Sequence, residues 1–238
     1  MAPTAAGAEI PTIDEGRRVV ARSPLEGGLR EAEGGVLGEL EVVRRSLGPA
    51  VRAAIAEEEG VAAQVRARVQ EAERRYAEVH DQLLALIARQ GPVAADLRLA
   101  MALLHANDRV ERIGAQTNNI ATLSEAMPER GRPSGEQFKC LSRAAILADE
   151  QLIETRRVFA ERDIGGALRL AEHDRAINEQ NRRCFELAVR EGDDEERRKA
   201  LFFVAMMTRA IERIGDNAVD IGRQMVFAET GRLRIAGG

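Results

Sequence analysis

Apolar residues recur every three or four positions from about Leu29 to Gly231, and this period constrains the fold more than any other feature of the 238-residue chain. Such spacing places an apolar stripe along each of several long α-helices. Within this region proline occurs only at positions 49, 92, 128 and 133, so few helices are interrupted. Aromatic residues make up 3% of the chain, which leaves Ala, Leu, Ile, Val and Met to fill a core of close-packed helices. The predicted fold class is all-α.

Breaker residues divide this region into six predicted long helices, at about 29–58, 61–89, 92–126, 136–161, 163–191 and 194–230. We expect Gly48-Pro49 to kink or interrupt the first helix, and Pro92 to be the first residue of the third. Residues 1–28 are predicted to form a disordered N-terminal tail, and residues 232–238 a short C-terminal tail.

The two halves of the helical region are related in sequence. Val110-Glu-Arg-Ile-Gly114 recurs as Ile211-Glu-Arg-Ile-Gly215, at an offset of 101 residues, and Asn119-Ile120 matches Asp220-Ile221 at the same offset. This is an internal repeat with three helices in each half. It predicts two pseudo-symmetric three-helix bundles, residues 29–127 and 137–231, placed end to end and joined by a linker at 128–136.

Charge and hydropathy exclude several classes of protein. The chain has 35 basic and 39 acidic residues, far from the positive field that binding to nucleic acid requires. No apolar run approaches the roughly 18 to 20 residues that cross a bilayer, so no direct membrane insertion is expected. Glu9, Asp14 and Glu15 occupy the region where a signal peptide is basic and then apolar, which predicts a cytoplasmic protein. Cys140 and Cys184 lie in no metal-binding spacing and are predicted to be free thiols.

The sixth predicted helix carries Glu212, Asp216 and Asp220 at i, i+4 and i+8. At about 100° per residue these carboxylates lie at about 0°, 40° and 80°, nearly opposite the helix's own apolar stripe. That stripe consists of Met207, Ile211, Ile214, Ala218, Ile221 and Met225. Like charges one turn apart repel, and a bound cation such as Mg, Ca, Mn or iron would relieve the repulsion. Arg209, Arg213 and Arg223 share this side of the helix, so an ordinary solvated stripe is the competing interpretation.

The fifth helix offers a second pair of oxygen side chains, Asp174 and Asn178, which antiparallel packing could bring beside Glu212 and Asp216. We call Glu212, Asp216 and Asp220 the carboxylate ladder. The corresponding positions of the third helix hold only one carboxylate, since they are Glu111, Ala115 and Asn119. No Glu-x-x-His occurs, which disfavours a di-iron site buried inside a bundle. Any cation is therefore expected to bind better in the second half.

Three features resemble a known family: the paired Glu-Arg-Ile-Gly segments, Gly91-Pro-Val-Ala-Ala-Asp-Leu-Arg98, and Ile211-Glu-Arg-Ile-Gly-Asp-Asn-Ala-Val-Asp-Ile221. The family is PhoU, and the resemblance extends over about residues 30–231. Members of that family are bacterial and archaeal regulators of phosphate uptake, built as two pseudo-symmetric three-helix bundles with metal clusters on surface acidic motifs. The resemblance implies divalent or iron-type metal ions of undetermined identity, with ligands at Glu212, Asp216, Asp220, Asp174 and Asn178.

The first half departs from the family pattern. Ala115 replaces an expected Asp, and Val69 and Glu73 occupy positions where two acids are usual. Glu111, Asp108 and Asn119 are thus weaker candidate ligands, and at most one well-formed cluster is expected.

By the same resemblance, the protein is expected to be a regulator and not an enzyme. It would repress the phosphate regulon and high-affinity phosphate uptake, as an adaptor between the ATP-binding subunit of a phosphate ABC transporter and a sensor histidine kinase. A homodimer is also expected. Two alternatives are a metal-dependent phosphoester hydrolase that uses the carboxylate ladder and a metal-free helical scaffold.

Overall fold

The computed structural model describes residues 16–56, 60–128, 135–190 and 194–232, with side chains described from Pro24 onward. The apolar period appears as six helices: α1 (Gly16–Ala56), α2 (Val61–Gln90), α3 (Ala94–Ala126), α4 (Glu136–Glu161), α5 (Ile164–Arg190) and α6 (Glu195–Thr230). These ranges contain no strand. The prediction of an all-α fold with six long helices is confirmed.

Several helix ends follow directly from local chemistry. Gly91 (φ 53°) ends α2 and Gly231 (φ 72°) ends α6, both in the left-handed conformation that glycine adopts without a steric cost. Asp194 caps the start of α6, because its side chain accepts a hydrogen bond from the Arg197 amide at 2.7 Å. Pro92 precedes α3 and is not its first residue, since the extended Val93 is the N-cap.

Helix α1 differs most from its prediction. It begins at Gly16, so residues 16–28, predicted to belong to a disordered tail, are helical. The helix also continues through Pro49 to Ala56, and the predicted interruption does not occur. Leu47, Ala50 and Val51 around this proline are all buried in the core, which offsets the one hydrogen bond that proline removes. The other predicted tail and linker residues, 1–15, 129–134 and 233–238, lie outside the described residues.

Each half of the chain forms a three-helix bundle, α1–α3 and α4–α6, and the two bundles share one continuous core. They lie side by side, so the predicted end-to-end arrangement is wrong. The most extensive helix contact in the molecule joins α3 to α6, and α1 also packs on α4. Buried residues surround much of the circumference of α3 and α6, which allows each helix to face its own bundle and the other one.

The helices that join the bundles run antiparallel. Along α3, Arg98 Nε donates to Ala228 O at 3.2 Å, and Arg109 lies 3.4 Å from the Asp220 carboxylate. Residue numbers therefore rise along α3 as they fall along α6. Helices α1 and α4 are also antiparallel, because Arg44 pairs with Asp149 and Glu33 pairs with Arg162 at the end of α4. This packing brings a first-half arginine to the carboxylate ladder of the second half.

Candidate functional site

The glycine of each repeated Glu-Arg-Ile-Gly segment is the point where a neighbouring helix approaches closely. A Cβ atom on Gly114 would lie 3.5 Å from a methyl group of Val69 on α2. A Cβ atom on Gly215 would lie only 2.4 Å from Asp174 Oδ1 on α5. Val69 and Asp174 therefore occupy equivalent places in the two bundles, which agrees with the register that places Val69 where the family has an acid.

Asp174 is a buried carboxylate on α5. Its residue is 8% exposed, and Oδ1 has no hydrogen-bond partner among the described residues. The other oxygen, Oδ2, accepts a hydrogen bond from Asn178 Nδ2 at 2.9 Å. Burial, followed by the charges of Asp216 and Glu212, raises the pKa of Asp174 to about 6. The site thus favours a proton or another cation beside this oxygen.

Asp216 faces the same space from α6. Its side chain is exposed on one side, and its pKa is also raised, first by partial burial and then by the charge of Glu212. Between α5 and α6 lies a cavity of about 320 Å³, lined by Ala171, Asp174, Asp216, Val219, Asp220 and Arg223. The structure thus brings three of the predicted ligands to one cavity.

The outer members of the ladder already have partners. Glu212 Oε2 accepts a hydrogen bond from Asn181 Nδ2 at 2.7 Å and is also paired with Arg209. Asp220 is paired with Arg223 at 2.8 Å and with Arg109 of α3 at 3.4 Å. Each of these two carboxylates thus has a direct arginine partner, whereas Asp174 and Asp216 form no ion pair within the described residues. The alternative of a solvated stripe, in which acids pair with arginines, therefore fits Glu212 and Asp220 at the ends of the ladder. It does not fit Asp216 at the centre.

The fit of a metal ion is consequently limited to the centre of the ladder. Within the described ranges, no three His, Cys, Asp or Glu side chains are grouped so that they could hold a metal ion together. Asp174 and Asp216 offer two carboxylates, and Asn178 Oδ1 is a buried oxygen that has no partner in the described part of the chain. Mg²⁺ is commonly held by one or two carboxylates while it keeps several water ligands. Such a hydrated divalent ion fits these residues, whereas a fully protein-ligated cluster does not.

The weaker candidates in the first half have other surroundings. Asp108 accepts a hydrogen bond from the Tyr76 hydroxyl at 3.0 Å. Glu111 is half-buried, Asn119 is exposed, and Ala115 occupies the position that corresponds to Asp216. With buried Val69 in the place of Asp174, this bundle has no equivalent of the central carboxylate pair.

An apolar groove continues the same α5–α6 surface toward the start of α6. Its cavity of about 420 Å³ is lined by Asn181, Arg182, Phe185, Glu186, Phe202, Ala205, Met206 and Arg209. Phe185 and Phe202 are 63% and 62% exposed, an unusual position for two of the six phenylalanines in the chain. Helix periodicity does not predict this groove, although Phe202 and Met206 lie outside the apolar stripe of α6.

Comparison with known proteins agrees with this repeated architecture. The model of the PhoU domain matches the chain twice, at residues 38–124 and 141–225, one match in each bundle. The chain belongs to the PhoU family. Together the two matches cover both copies of the Glu-Arg-Ile-Gly segment and the whole carboxylate ladder of this PhoU-family protein.

Similar proteins cover most of the PhoU-family chain. The phosphate-specific transport system accessory protein PhoU homolog of Pseudomonas putida is 26% identical over 213 residues, covering 85% of this chain and 79% of the homolog. The homolog of the same name from Deinococcus radiodurans is 27% identical, covering 88% of this chain and 98% of its own length. The crystal structure of PhoU from Pseudomonas aeruginosa shares the fold, with a TM-score of 0.80, 22% identity and coverage of 87% and 99% of the two chains.

Proposed function

We propose that this protein is a regulatory accessory protein of a phosphate transport system and that it represses phosphate uptake and the phosphate regulon. Its membership of the PhoU family supports this role, as do the similar proteins named as accessory to phosphate-specific transport. Its position would be cytoplasmic, and none of the helices in the described ranges combines the length and apolar character of a membrane span.

The observation that carries the proposal is the continuous α5–α6 surface, acidic at one end and apolar at the other. Asp174 and Asp216 form the acidic end, and Phe185, Phe202 and Met206 form the apolar end. Large exposed apolar side chains in a groove are typical of a surface that docks another protein. An adaptor needs such a surface and does not need a nucleophile. In this proposal it binds the ATP-binding subunit of a phosphate ABC transporter and a sensor histidine kinase, and the protein is a homodimer.

We further propose that Asp174 and Asp216 bind a divalent cation that keeps part of its water shell, with Asn178 as the nearest additional oxygen donor. When bound, the cation would supply positive charge that relieves the repulsion between the two carboxylates. Glu212 and Asp220 would surround the site through the arginine pairs they already form. The oxygen donors alone leave the identity of the ion open.

A regulator is favoured over a phosphoester hydrolase by the composition of the cavity. A metal-dependent hydrolase usually assembles several ligands and a water-activating base in one cleft. The cavity lining contains aspartates and one arginine but no histidine. His173 is adjacent to Asp174 in sequence but is not among the residues that line the cavity. A metal-dependent turnover of phosphoesters that disappears in Asp216→Asn would overturn this choice.

Regulation can be tested in a strain of the source organism that lacks this gene and carries a reporter on a phosphate-starvation promoter. We expect reporter activity in phosphate-rich medium without the gene, and repression when the wild-type gene is restored. Tagged protein should also capture the transporter ATP-binding subunit or the sensor kinase from the same genome. Unchanged reporter activity after deletion, together with failure to capture either partner, would contradict the proposal.

The cation site has a separate test. Isothermal titration with Mg²⁺ and Mn²⁺ should show binding to the wild-type chain and at least about tenfold weaker binding to Asp216→Asn, because one of two carboxylates is lost. Asp108→Asn is the matched control, since Asp108 is a carboxylate on the corresponding helix of the other bundle. Equal binding by all three proteins would refute the cation site and leave the regulatory role intact.

A further inference from the structure

The chain's two cysteines meet at the contact between α4 and α5. Cys140 Sγ donates a hydrogen bond to the Gln180 carbonyl at 3.2 Å. That carbonyl lies four residues before Cys184, at the position where a helix carbonyl accepts the Cys184 amide. Each thiol is also the largest cause of the shift in the other's pKa, which requires the two side chains to lie close together. The sulfur atoms are therefore neighbours although the residues are 44 positions apart in sequence.

The first bundle shows how closely the backbones approach at this level. Gly35 and Val79 lie 105 residues before Cys140 and Cys184, the same offset that relates Val69 to Asp174. A Cβ atom built on Gly35 lies 3.9 Å from the Cβ atom of Val79. Disulfide-linked cysteines have Cβ atoms about 3.5 to 4.5 Å apart. The equivalent α1–α2 contact thus has the spacing that a disulfide requires.

The two thiols differ in their electrostatic surroundings. The neighbouring Cys184 thiol lowers the pKa of Cys140, burial opposes this effect, and the Arg183 guanidinium adds to the lowering. The same contact raises the pKa of Cys184, and burial adds to this effect. Both cysteines are buried, but Cys140 lies in the second turn of α4 beside the exposed side chains of Glu136 and Arg183. Fraying of the first turn of α4 would expose Cys140 to a small oxidant.

We propose that Cys140 and Cys184 are a redox modification site that forms a reversible disulfide between α4 and α5 on reaction with hydrogen peroxide. The Cys140 thiolate attacks one peroxide oxygen, the O–O bond breaks, and a sulfenic acid and hydroxide form. Cys184 then attacks the Cys140 sulfur, the S–O bond breaks, and the hydroxyl group leaves as water. In total, two thiols and one peroxide give one disulfide and two waters.

The disulfide would fasten α5, which carries Asp174, to α4. The sulfur atoms need to close to about 2.05 Å, and Cys140 Sγ already contacts the turn of α5 that precedes Cys184. In a reducing cytoplasm such a bond is transient and responds to oxidant, as redox-sensing disulfides do. This inference does not depend on a cation or a docking partner.

The test uses the full-length wild-type protein treated with hydrogen peroxide, quenched, and alkylated in guanidinium. We expect the alkylatable thiols to fall from two to zero per chain, with an intact mass lower by two hydrogen atoms. Peptide mapping should show a Cys140–Cys184 link, and a phosphine reductant should restore both thiols. The oxidised chain should unfold at a higher temperature than the reduced chain, because the bond joins helices already packed together.

Cys140→Ala and Cys184→Ala, each checked for helical circular dichroism, should show no loss of two hydrogens under the same treatment. The wild-type measurements remain decisive if either variant fails to fold. Persistence of both thiols, disulfides only between chains, or a lower unfolding temperature after oxidation would each overturn the proposal.

Discussion

Val69 and Asp174 occupy the same place in the two bundles, each against the glycine that ends a Glu-Arg-Ile-Gly segment. One bundle fills this place with a buried apolar side chain and the other with a carboxylate whose Oδ1 is unpartnered among the described residues. The first bundle shows that packing alone is satisfied by valine. We expect the buried carboxylate to lower the stability of the second bundle, a cost that the proposed cation site would explain.

Asp174→Val should stabilise the second bundle by about 1 to 2 kcal/mol at pH 7, because it removes a buried, incompletely hydrogen-bonded carboxylate. It should also abolish the binding of Mg²⁺ or Mn²⁺. Urea unfolding and isothermal titration measure the two effects. The reciprocal Val69→Asp should lose about 2 to 4 kcal/mol of stability, and a destabilised Asp174→Val would show that this carboxylate has a structural role.

Gly215→Ala and Gly114→Ala form a second matched pair. A Cβ atom at Gly215 would lie 2.4 Å from Asp174 Oδ1 and 3.1 Å from an Ile177 methyl group, so the carboxylate has to rotate away. We expect weaker cation binding and no gain in stability. At Gly114 the nearest atoms are at 3.5 Å and 3.6 Å, an ordinary contact, so alanine should stabilise α3 by about 0.5 to 1 kcal/mol. Equal responses to the two substitutions, in unfolding and titration, would contradict the close approach of Asp174.

Glu39 gives the clearest dependence of stability on pH. It is buried on α1, where Oε1 has no partner in the described ranges, and burial raises its pKa to about 8. Arg75 opposes this shift and Glu78 adds to it. Because the folded-state pKa lies above the ordinary glutamate value of 4.5, the folded state binds the proton more tightly, and stability falls as pH rises from about 4.5 through about 8.

Glu39→Gln keeps the shape of the side chain and removes this titration. Its stability should exceed that of the wild type at pH 8.5 and approach it at pH 5. Urea unfolding at several pH values measures the difference. A wild-type curve as flat as that of Glu39→Gln would show that Glu39 keeps its charge in the folded state.

The apolar end of the groove can be tested by substitution at its exposed phenylalanines. Phe185→Ser and Phe202→Ser should weaken capture of the transporter ATP-binding subunit or the sensor kinase by about tenfold or more, while unfolding stability changes little. Ile153→Ser is the control, because Ile153 is half-exposed on α4, outside the groove. Partner capture that responds equally to all three substitutions would argue against docking at the groove.

Much of the fold followed from local patterns. The apolar period predicted five of the six helices to within a few residues, and the repeated Glu-Arg-Ile-Gly segments predicted a duplicated bundle. α1 was the exception, since its first turns contain little apolar periodicity and its glycines and prolines were interpreted as a tail. The central carboxylates were also identifiable, because Asp216 shares a ladder with its neighbours and Asp174 lies one turn from Asn178.

The relation between the bundles could not be read from these patterns. A helix period shows which residues are apolar, but not which of two neighbours each apolar side contacts. Helices α3 and α6 are each buried against their own bundle and against each other. The contact between them places Arg109 beside Asp220. The apolar groove likewise depends on Phe185 and Phe202 meeting across two helices.

The sequence by itself determined six helices, their duplication and the acidic positions, because these depend on local periodicity and spacing. Only the tertiary structure decided which acids keep an uncompensated charge. Glu212 and Asp220 are met by Asn181, Arg209, Arg223 and Arg109, whereas Asp174 is pressed against Gly215 and faces Asp216. Arg209 and Arg223 lie only three residues from the acids they pair with, so helix spacing already predicts those pairs. Asn181, Arg109 and Asp174 are distant in sequence, and only helix packing brings them to the ladder.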